Sequence, residues 1–165
     1  MKTLYLVRHA KSSWGDPSLN DFDRPLNKRG LKDAPLMADH FSKNHARPDQ
    51  ILSSPAKRAM MTAEIFAGKL GYPGNSILKN EFIYDAIPDD LLHVLHDTDN
   101  RIEKLMVFGH NPGIPEFIYY LSNNHMHKVP TCSICALALN IEKWKQAEFS
   151  CGKILFFESP KIFKL

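Results

Sequence analysis

The chain has 165 residues, 44% of them hydrophobic and 24% charged, with a formal net charge of +3. These values suit one domain, residues 1–165, with a real core, and exclude both a disordered chain and two full-sized domains. The mild basic excess, with Lys and Arg interspersed among Asp and Glu, argues against nucleic acid and suits a small anionic substrate.

No apolar run is long enough to cross a bilayer. Arg8 interrupts the apolar stretch after Lys2 before it reaches the length of a secretory signal. Three cysteines, an odd number, fit a reducing compartment better than a disulfide framework, so a cytoplasmic protein without a membrane partner is expected.

In chain order, TLYLV (3–7) is short and almost wholly apolar, which predicts a strand buried on both faces. Residues 10–28 are polar and rich in Pro, Gly, Asp and Asn, the mark of a long loop; long loops in compact domains often carry function. Leu31, Ala34, Ala38 and Phe41 have helical spacing, with Pro35 expected in a first turn or at a kink. QILS (50–53) reads as a second strand. Pro55 then opens a helix to about Leu70, capped by Ser53 or Ser54 and closed by Gly71.

A third strand is expected at 76–78 and a helix from Pro88 through His96. LMVF (105–108) is a fourth buried strand, followed by Gly109-His110-Asn111-Pro112 and a helix to about Leu121. Two strands, near 133–140 and 147–157, complete the chain. Alternating strands and helices predict an α/β domain, a mostly parallel sheet flanked by helices in three layers, with ligands bound beyond the carboxyl ends of the strands.

Three strand exits carry chemistry. Arg8 and His9 leave the first, Arg58 lies one turn into the helix after the second, and His110 leaves the fourth. If these strands are neighbours, two guanidiniums and two imidazoles meet in one strongly anion-attracting pocket. Arg binds phosphate in a bidentate manner, and helix N-termini near Pro55 and Pro112 add N–H donors. A neutral imidazole oriented through one nitrogen can attack phosphorus with the other.

LVRHAKS (6–12) resembles the Arg-His signature of the histidine phosphatase superfamily, with Ala10 in the place usually held by Gly. SSPAKRAMMTAE (53–64) resembles its second block, and VFGHNPGI (107–114) the block with the second His. Ala10 and DRPLNKRGLKDAP (23–35) point to the small single-domain branch of SixA-type phosphohistidine phosphatases, and the likeness extends to the closing PKIF (160–163). The resemblance implies the phosphoglycerate mutase-like fold and a two-step hydrolysis. His9 is the nucleophile, and Arg8, Arg58 and His110 clamp the phosphoryl oxygens. It further implies no metal or other cofactor, and a phosphorylated substrate such as a histidine-phosphorylated protein. A small phosphometabolite and a non-catalytic phosphate-binding module are the alternatives.

Larger relatives supply a Glu as proton donor, for which Glu81 is the first candidate and Asp85 the second. Both also read as surface carboxylates. Lys11 and Ser12 are candidates to line the phosphate pocket. Arg24 either reaches the substrate or pairs with Asp21 or Asp23; Arg29 lies nearby.

The other histidines have ordinary explanations. His40 and His45 end a helix, where a cation suits the dipole. His93 and His96 lie on a helix, and His125 and His127 in a polar loop without further metal ligands near in sequence. Cys132-x-x-Cys135 begins a strand rather than a helix, which favours buried structural thiols over a redox pair.

Overall fold

The computed structural model describes residues 1–163. Its centre is a six-stranded sheet of β1 (Lys2–Arg8), β2 (Gln50–Ser53), β3 (Leu78–Lys79), β4 (Lys104–Gly109), β5 (Ile134–Leu139) and β6 (Gly152–Glu158), in the order β3-β2-β4-β1-β5-β6. β3, β2, β4 and β1 run parallel, while β5 pairs antiparallel with both β1 and β6, so the sheet is mixed. The helices are α1 (Lys28–Asn44), α2 (Lys57–Leu70), α3 (Pro88–His96) and α4 (Gly113–Ser122).

The apolar run of β1 reflects cover on both faces. Leu4 and Leu6 join a core with Leu91, Leu95, Phe117 and Leu121 from α3 and α4. Tyr5 and Val7 point the other way, to Met37, Phe41 and Phe66 from α1 and α2. Successive strand residues face opposite sides, so a doubly covered strand must be apolar throughout.

The structure moves several boundaries. α1 continues through Pro35, which sits in its interior rather than its first turn. Burial of Ala34, Met37, Ala38 and Phe41 against the sheet outweighs the missing N–H donor. α2 begins at Lys57, two residues after Pro55. Ser54 Oγ accepts the Ala56 N–H just before it, at 3.2 Å, and Gly71 ends the helix in the left-handed conformation. The third strand is only Leu78–Lys79, with a 3-10 turn over Gly74–Ser76. β6 begins at Gly152 rather than near 147. No helix among the described residues is long and apolar enough to cross a membrane.

Candidate active site

The strand order β2-β4-β1 makes the three chemically loaded exits neighbours, and the register makes them level. Arg8 lies beside Gly109 and Ser53 beside Phe108, while His9 N–H donates to the Gly109 carbonyl at 3.1 Å. His9 and His110 thus leave adjacent parallel strands at the same height, with ring centroids 5.2 Å apart. The Ala10 N–H donates to Thr62 Oγ1 at 3.0 Å, and that hydroxyl donates to the Arg58 carbonyl at 2.8 Å. Thr62 therefore ties the first exit to the turn of α2 that carries Arg58.

Two glycines allow the surrounding loops to close in. A Cβ on Gly30 would meet the Lys11 carbonyl oxygen at 2.2 Å, and one on Gly113 would meet the Ala86 carbonyl oxygen at 2.7 Å. Both contacts are to backbone and leave room for hydrogen only.

The resulting cavity, about 510 Å³, is lined by Arg8, His9, Lys11, Ser12, Trp14, Asp21, Arg24, Arg58, Tyr84, Asp85, His110, Asn111 and Thr131. Arg8, His9, Arg58, His110 and Ser12 come together as the sequence predicts. Glu81 does not: it is exposed on a 3-10 turn over Glu81–Ile83, and the third strand ends too early to carry it inward. Asp85, the second candidate, does line the cavity, on a backbone with φ of 55°. Arg29 pairs with Asp33 and is not a lining residue.

His9 Nδ1 lies 2.7 Å from its acceptor, the Ala10 carbonyl oxygen. A carbonyl accepts only, so the proton sits on Nδ1 and the lone pair on Nε2. Arg58 Nε donates to that lone pair across a long 3.3 Å. Burial pushes the His9 pKa down to about 3, with the cations nearby adding to the effect, and pushes His110 down to about 4. Both rings are therefore neutral near pH 7.

His110 Nε2 is 2.7 Å from Ser54 Oγ, while its Nδ1 is buried without a partner; the same holds for Arg8 Nε. Buried polar groups without partners are uncommon and call for a physical explanation. Both belong to side chains lining one cationic cavity, whose remaining donors suit an anion.

Asp21 has a larger part than its place in a polar loop suggests. Its Oδ2 accepts from Tyr84 Oη at 2.6 Å and Arg58 Nη2 at 3.0 Å, and its Oδ1 accepts from Arg24 Nη2 at 2.9 Å. The Tyr84 hydrogen bond, supported by the two arginines, holds the Asp21 carboxyl far below the usual carboxylate range. Of the two readings for Arg24 the structure shows the pairing with Asp21; Arg24 also lines the cavity, where it donates to Ser12 Oγ at 2.6 Å and stacks on Trp14 at 3.5 Å. The sequence reading does not single out Tyr84, Trp14 or Thr62 as site residues, and it gives Ser54 only as a helix cap. Thr62 alone had a local signal, one helical turn after Arg58.

Residues 4–79 match the model of the histidine phosphatase superfamily (branch 1). An uncharacterized chloroplastic protein of Arabidopsis thaliana is 31% identical over 154 residues, covering 88% of this chain and 70% of its own length. This chain belongs to the histidine phosphatase superfamily. A candidate phosphohistidine phosphatase SixA from Agrobacterium tumefaciens superimposes with a TM-score of 0.80 at 26% identity, covering 96% of this chain and 98% of the other. The protein histidine phosphatase SixA solved with tungstate gives a TM-score of 0.83 at 20% identity over 98% and 99% of the two chains, which shows the shared phosphoglycerate mutase-like fold. The present superfamily member is thus a phosphatase-class hydrolase built as a single α/β domain.

Proposed function

We propose that this phosphatase works through a phosphohistidine intermediate on His9 and that its substrate is a histidine-phosphorylated protein. The observation that carries the mechanism is the Nδ1 bond to the Ala10 carbonyl, which leaves the Nε2 lone pair of a neutral His9 in a cavity lined by Arg8, Arg58 and His110. His9 Nε2 forms a bond to phosphorus as the bond to the leaving group breaks. Water then forms a P–O bond as the P–Nε2 bond breaks, releasing inorganic phosphate and neutral His9. Arg8, Arg58 and His110 hold the equatorial oxygens and stabilise their charge, so the scheme routes no step through a metal.

The choice of substrate rests on the proton donor. Glu81 lies outside the cavity lining, and Asp21, held ionised by Tyr84 and two arginines, has no proton to give, which leaves Asp85 as the single donor candidate among the lining carboxyls. A phosphohistidine tolerates this better than a phosphate ester, because its imidazole leaving group takes up a proton before the P–N bond breaks. The likeness to SixA-type chains supports the same choice.

A substrate panel tests the reading. It compares a histidine-phosphorylated phosphotransfer domain with sugar, nucleotide, seryl and aryl phosphates, for wild type and His9→Ala. Preferential release from phosphohistidine, with phosphate trapped on His9 after an acid-free quench, is expected. Preference for a small phosphometabolite would overturn the substrate, and equal inactivity of both proteins would leave a phosphate-binding module.

A further inference from the structure

We propose that His40, His45 and Glu158 form a zinc site, separate from the catalytic cavity, that clips the end of α1 to the edge strand β6. The three ligand atoms lie within 4.8 Å of one another. His40 is in the last turns of α1, His45 is the residue that ends it, and Glu158 closes β6. The His40 Nε2 contacts Glu158 Oε2, and the His45 Nε2 contacts Glu158 Oε1. One carboxylate thus gathers two imidazoles from 118 and 113 residues away.

The rings are held in place. His45 stacks on Phe156 at 3.8 Å with an interplanar angle of 12°, and Phe163 meets His40 edge-on at 5.9 Å. The three side chains keep between 18% and 26% of their exposure, enough for a solvent molecule to reach a bound ion. Two imidazole nitrogens and a carboxylate oxygen are a borderline donor set suited to Zn²⁺, with water in the fourth position.

Binding puts the lone pair on each Nε2 and the proton on Nδ1. The Asn44 side-chain amide nitrogen borders the His40 ring, 3.3 Å from His40 Nδ1, and donates to the His40 carbonyl at 2.9 Å. As a bare ion pair the cluster contributes little, because partly exposed pairs are worth ~0–1 kcal/mol. A metal would instead join a helix end to an unpaired sheet edge. None of the three residues lines the catalytic cavity.

The test is equilibrium dialysis and calorimetric titration of the chelator-treated full chain with Zn²⁺ alone, repeated on E158Q, H40Q and the His9→Ala/His110→Ala double variant. One equivalent of zinc is expected to bind wild type and the double variant. E158Q and H40Q should each weaken binding by at least the ~10- to 100-fold seen when outer partners of metal ligands are lost. Zinc should raise the thermal midpoint of wild type and leave that of E158Q unchanged. Absence of stoichiometric binding, undiminished binding by both E158Q and H40Q, or loss only in the double variant would overturn the proposal.

Discussion

Two histidine pairs of the protein, His9 with His110 and His40 with His45, take opposite characters from their neighbours. His9 and His110 share their cavity with Arg8, Arg24 and Arg58, at the level exits of parallel strands. His40 and His45 share one carboxylate at a helix end beside the sheet edge. Cations around neutral imidazoles make a place for an anion, and a carboxylate between imidazoles makes a place for a cation. Imidazole itself decides neither; the charges that the fold delivers to its open nitrogen do.

The comparison breaks most readily at His9. His9→Ala should lower phosphatase turnover by ~10³-fold or more, since under the proposed mechanism the reaction loses its nucleophile rather than a helper. Trapping of radiolabelled phosphate should vanish with it, and residual trapping on another residue would move the nucleophile. Arg58→Ala comes next, with an expected loss of ~10²–10³-fold in kcat/KM, the scale for one preorganised donor to a transition-state oxygen. Arg58→Lys should recover only part of this, because an ammonium cannot reproduce the guanidinium fork.

Acid should separate the two pairs. His9 and His110 have folded pKa values of about 3 and about 4, below the ordinary value near 6.5. Between about pH 4 and pH 6.5 the unfolded chain therefore binds more protons, and stability rises with pH across that window. Denaturant unfolding at pH 4.5, 5.5 and 6.5 checks the sign, and His110→Gln should flatten the slope. An NMR titration showing His9 or His110 changing charge near pH 6.5 in the ligand-free protein would refute their burial as neutral rings.

The smallest effect is expected at Asp21. Its carboxylate competes with a bound anion for Arg58, and the contact is partly exposed, with Arg58 buried and Asp21 about half exposed. Asp21→Asn should tighten inhibition by inorganic phosphate by about 2- to 5-fold, the range for one partly exposed pair. Weaker inhibition would instead make Asp21 a support that aims Arg58.

Cys132 and Cys135 show where local pattern and environment agree. Burial raises both thiols, Cys135 to about 12, so neither is poised as a thiolate. His40 and His45 show where they part: a helix-end reading accounts for their sequence position, while Glu158, more than a hundred residues away, sets their chemistry. Glu81 is the opposite case, an acidic residue near the expected place that the short β3 leaves outside the cavity.

The α/β class, the buried parallel strands and the four cavity-lining residues Arg8, His9, Arg58 and His110 were legible in the chain alone, because apolar runs and strand-exit residues are local patterns that survive without coordinates. That β2, β4 and β1 are adjacent and level follows from the folded sheet alone. The tertiary structure also decided which nitrogen of His9 is open, that Asp21 and Tyr84 reach Arg58, and that Glu158 joins two distant histidines. Those outcomes depend on strand order, register and side-chain direction, which are set by packing between segments far apart in the chain.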